Sequence, residues 1–93
     1  MPVPSLDAIN ASSGRTWASE HRFPGIVRGD LGTGGLTGRL QLKDLDVYLA
    51  LAGALDVAAP LGEACRAEFA EAVAAGYGER ISNAIVDAVG ERA

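Results

Sequence analysis

The 93 residues contain one cysteine, Cys65, and one histidine, His21. One thiol closes no internal disulfide, and the pair falls short of the four ligands of a structural zinc site, so a chain this small has neither staple. Aromatic residues make up only 5% of the sequence, too few for the cores of sandwiches and barrels, which draw on β-branched and aromatic side chains. The opening Met1-Pro2-Val3-Pro4-Ser5 has no basic segment followed by an apolar one. No apolar run reaches the roughly 18 residues of a membrane span, and the default location is cytoplasmic. Positive charge is in the minority, 8 Lys+Arg against 12 Asp+Glu for a net charge of −4. That is the wrong sign for a phosphate backbone, which argues against nucleic acid as a partner, as the missing span argues against a membrane.

What is abundant is alanine and leucine. Apolar types reach 48% and charged types 22%, the balance of a globular chain, and the alanine–leucine bias favours packed helices. At this length there is one small domain, burying about 60–65% of its unfolded surface, so stability is marginal and a partner surface is expected. Charge is unevenly spread: residues 1–43 carry five bases against three acids, and the remainder three arginines against nine acids.

Helical periodicity divides the chain further. Ser5 stands as an N-cap before a short piece, Leu6 to Asn10, that stops at Gly14. Arg15 to Phe23 reads as a second short helix, ended by Pro24. Glycines at 25, 29, 32, 34, 35 and 38 argue against a regular element between Pro24 and Gly35. Leu36 to Leu55 is the longest predicted helix, roughly 28 Å at 1.5 Å per residue. Its second half, Val47 to Ala52, is apolar all round and calls for neighbours on most sides. Leu61 to Ala75 places Leu61, Cys65, Phe69 and Ala72 or Val73 on one face and ends at Gly76 or Gly78. A last helix, about Glu79 to Val89, stripes Ile81, Ile85, Val86 and Val89.

Several constellations bear chemistry. Asp44 projects close to Leu40, Leu51 and Leu55, the most apolar surroundings of any charge on the long helix, and Lys43 lies beside it near Arg39 and Asp46. A charge on a buried helix needs a partner. Either Lys43 pairs with Asp46 three residues on and Asp44 with a backbone group or arginine, or the two face a ligand cleft. The run Asn10 to Thr16 combines hydroxyls, an amide and a guanidinium that suit an anion, or simple capping. Gly29 to Gly35 lacks the preceding strand of a dinucleotide-binding loop and the lysine of a P-loop. His21 reads as a surface histidine, and Trp17 and Phe23 as anchors of the short helices to a core.

Taken together, Ile9-Asn10-Ala11-Ser12-Ser13-Gly14-Arg15-Thr16-Trp17, Arg22-Phe23-Pro24, Leu42-Lys43-Asp44-Leu45 with Leu49-Ala50, and Pro60-Leu61-Gly62 before an alanine-rich helix resemble one family. It is the C-terminal domain of the NAD(P)-dependent β-hydroxyacid dehydrogenases, which include 3-hydroxyisobutyrate dehydrogenase and tartronate semialdehyde reductase. The resemblance covers nearly the whole chain. It implies an all-α domain of the 6-phosphogluconate dehydrogenase-like type over residues 1–93, without its first long helix. The N-terminal Rossmann domain and the catalytic lysine segment are expected to be absent. It also implies NAD or NADP as cofactor in the full enzyme, a small 3-hydroxy acid as substrate, and a homo-oligomer. By the same resemblance Lys43 faces the cofactor, and Asp44 and Leu36 face the substrate, with Leu36 standing after Gly35 where the family often has phenylalanine. Two functional readings follow: part of a dehydrogenase that supplies cleft residues and a subunit interface without activity alone, or a non-catalytic helical module that self-associates.

Overall fold

The computed structural model describes residues 3–32 and 35–92, with the side chains of Val3, Pro4 and Arg92 left out, and it is helical throughout its regular elements. Among the described residues there is no strand, only an isolated antiparallel bridge between Thr37 and Ile81, and no helix is long and apolar enough to cross a membrane. The chain divides into two compact units, Met1–Gly32 and Thr33–Ala93.

The first unit holds three short helices: α1 (Val3–Asn10), α2 (Trp17–His21) and α3 (Phe23–Val27). Leu6, 3% exposed, is the buried anchor of α1. Ser5 lies inside α1 and not at its cap, because the helix begins at Val3. The turn after α1 is held by its own side chains. Thr16 and Ser19 form a reciprocal capping box at the start of α2, Thr16 Oγ1 accepting from Ser19 N at 3.0 Å and Ser19 Oγ from Thr16 N at 2.7 Å. Asn10 then closes the network, accepting from Ser19 Oγ at 2.6 Å and donating to Ser19 O at 2.8 Å. Pro24 corrects the expected boundary. The short helix expected to run to Phe23 closes at His21, and Pro24 sits in the first turn of a new helix that reaches Val27 into the glycine-rich stretch where no regular element was expected; there its missing N–H has no partner to lose and its fixed φ is already helical. Thr33 and Gly34 of the glycine-rich run lie outside the described residues.

The second unit is built on an antiparallel pair, α4 (Gly38–Ala54) and α5 (Pro60–Ala72). Their close approach depends on Gly62: a Cβ there would stand 2.5 Å from Cε2 of Tyr48 and 3.3 Å from Cδ2 of Leu49. Arg66 of α5 clips the pair by donating to Asp46 of α4 at 2.7 Å. After Ala72 the chain loosens into a π turn, Val73–Tyr77, stopped by Gly76 at φ 101°, a left-handed value that glycine adopts without a steric penalty. The expected last helix starts late: a 3-10 turn, Ser82–Ala84, leads into α6 (Ile85–Arg92). Backbone bonds then stitch the segment after the π turn to the start of α4, Gly38 N donating to Arg80 O at 2.9 Å, Arg39 N to Gly78 O at 2.9 Å, and Ser82 N to Leu36 O at 2.7 Å.

The core of this unit is made of small side chains, Ala52, Ala72, Ala84 and Ala88 with Tyr77. The α4 face that apolar patterning assigned to the interior is instead open. Leu51 is 59% and Leu55 64% exposed, with Leu40 and Val47 also exposed, whereas α5 packs on the α4 side that carries Asp46, Tyr48 and Leu49.

Candidate functional site

Four charged side chains lie along α4, and they divide into two kinds. Arg39 donates to Glu79 at 2.6 Å and Asp46 accepts from Arg66 at 2.7 Å, both binding α4 to the rest of its unit. Lys43 and Asp44 are exposed and make no hydrogen bond or ion pair among the described residues. The expected Lys43–Asp46 pair does not form, since Arg66 reaches Asp46 first. Asp44 is not enclosed either. The leucines expected to surround it, Leu40, Leu51 and Leu55, are themselves exposed, so they form an open apolar strip with a carboxylate set into it.

Leu36 lies two residues before α4, half-buried, its carbonyl tied to Ser82. Lys43 and Asp44 are consecutive exposed residues of α4, about 100° apart around its axis, and Leu36 precedes the helix.

The other candidates are absorbed by structure. The Asn10–Thr16 run makes capping bonds, and its guanidinium, Arg15, faces Glu20 at 3.6 Å. His21 is exposed as expected, its Nδ1 3.0 Å from Trp17 O. Trp17 is not a core anchor: it is 63% exposed, stacked on His21 at 4.8 Å between ring centroids, with the Arg22 guanidinium 5.6 Å from its ring centre. The helical spacing Trp17–His21 could have signalled this stack. Phe23 is half-buried. No group of three metal-binding side chains occurs among the described residues. Among the described residues a clearly displaced titration belongs to a residue that sequence reasoning passed over. Tyr77 is buried, donates its hydroxyl to Glu91 Oε1, and lies under the Arg80 guanidinium at 4.9 Å. The Glu91 carboxylate, with burial second, holds the phenol above its ordinary pKa.

A family model described as the NAD-binding region of NADP-dependent 3-hydroxyisobutyrate dehydrogenase matches residues 2–89. The chain belongs to this family. Its all-α architecture is that of the family's helical domain. No curated protein matches the chain. Among family members the coenzyme is NAD(P), which makes the fit of the described residues to a nucleotide the next question. The ammonium of Lys43 fits an anionic or carbonyl oxygen, and the carboxylate of Asp44 fits a hydroxyl or amide N–H. A pyrophosphate cradle is a different matter. Free N–H groups opening a helix commonly bind phosphate, yet at α4 those of Gly38, Arg39 and Leu40 already donate to Arg80 O, Gly78 O and Thr37 Oγ1. The start of α4 therefore offers a phosphate none of these three N–H groups.

Proposed function

We propose that this chain forms the helical wall of the cleft in which an NAD(P)-dependent dehydrogenase oxidises a small 3-hydroxy acid. The observation that carries this reading is the pair Lys43 and Asp44, side by side on α4, exposed, and left without partners while the other two charges of that helix are committed to packing. Family membership supplies the chemical context. A bound nicotinamide would supply the acceptor for the hydride of the carbon bearing the hydroxyl, the hydroxyl proton passing to a general base of the full enzyme. The ammonium of Lys43 holds an oxygen of the cofactor or of the substrate carboxylate, and Asp44 orients the substrate through its hydroxyl or amide hydrogens. Leu36 offers an aliphatic surface to the substrate's carbon skeleton. The cofactor's phosphates are bound by a Rossmann domain, so the chain alone is inactive. Calorimetric titration of the chain with NAD(H) or NADP(H) should give no saturable binding.

The decisive test joins the chain to a Rossmann domain of the family and compares Lys43→Ala with the parent. If Lys43 faces the cleft, kcat/KM or cofactor affinity falls by at least tenfold, while the thermal midpoint stays within the small range expected for an exposed charge. Wild-type kinetics in the variant would remove the assignment. The open leucine strip on α4 favours a second reading, a helical module that associates with copies of itself. In the dehydrogenase the same strip serves as a subunit or domain interface.

A further inference from the structure

We draw no further inference here: the strongest candidate, the apolar groove between α5 and α6 lined by Cys65, Phe69, Ile85, Val86 and Val89, carries none, because nothing in the structure shows what covers it.

Discussion

Tyr77 meets two charged side chains at once, and its chemistry can be read through pH. The Glu91 carboxylate that accepts its hydrogen bond, helped by burial, raises the phenol above the ordinary value of about 10. A folded-state pKa raised in this way means that the protonated phenol stabilises the fold. The contribution is full below about pH 10 and is lost as pH climbs through the raised value. Tyr77→Phe should therefore lower the denaturation midpoint at neutral pH, and the gap between variant and wild type should narrow above pH 10. A constant gap across that range would show that the hydroxyl contributes nothing to stability. At Gly62 the issue is space. Gly62→Ala thrusts a methyl into the Tyr48 ring and should destabilise the chain by about 1–3 kcal/mol in urea titration. The cost should shrink when Tyr48 is also truncated to alanine, since the clash then has no counterpart.

At the level of elements, α4 and α5 were legible in sequence to within about three residues, because each is a long periodic stretch: Leu36 to Leu55 was expected and Gly38–Ala54 is found, Leu61 to Ala75 was expected and Pro60–Ala72 is found. Gly76 was likewise readable as a terminator. Its φ of 101° predicts that Gly76→Ala costs about 1–2 kcal/mol, measurable as a lower midpoint in thermal denaturation. Short elements were less legible. Pro24 is compatible both with ending a helix and with beginning one, and local sequence does not choose between them; α3 exists because the chain around it takes the second option. The candidate site was half readable. Lys43 and Asp44 stand out by position and by family resemblance, but their lack of partners depends on Arg66, twenty residues beyond Asp46, taking that carboxylate. The α5 face that Arg66 presents is a matter of packing, to which periodicity within α4 is blind. The same holds for the open leucines, since an apolar stripe specifies that cover is wanted and not whether this chain provides it.

Across the whole molecule, no large side chain among the described residues is fully buried, and alanines make most of the core. Such packing supplies little hydrophobic stabilisation per residue. With Leu51 and Leu55 more than half exposed on α4, sedimentation velocity over a hundredfold concentration range should show the chain associating, and Leu51→Glu should return it toward a monomer. A single concentration-independent monomer peak would count against an interface role for this strip. One joint is indifferent to these variations. Where the start of α4 meets residues 78–82, the two segments are stitched by backbone donors and acceptors, which every residue but proline possesses in full. The side chains of Leu36 and Ser82 can therefore change over evolutionary time without unpicking the joint, whereas proline at 38, 39 or 82 would delete a stitch outright. Among relatives, residues 36 and 82 should accordingly vary, while position 38 keeps glycine, because a Cβ there would stand 3.0 Å from the Tyr77 carbonyl oxygen, and proline is missing from 38, 39 and 82.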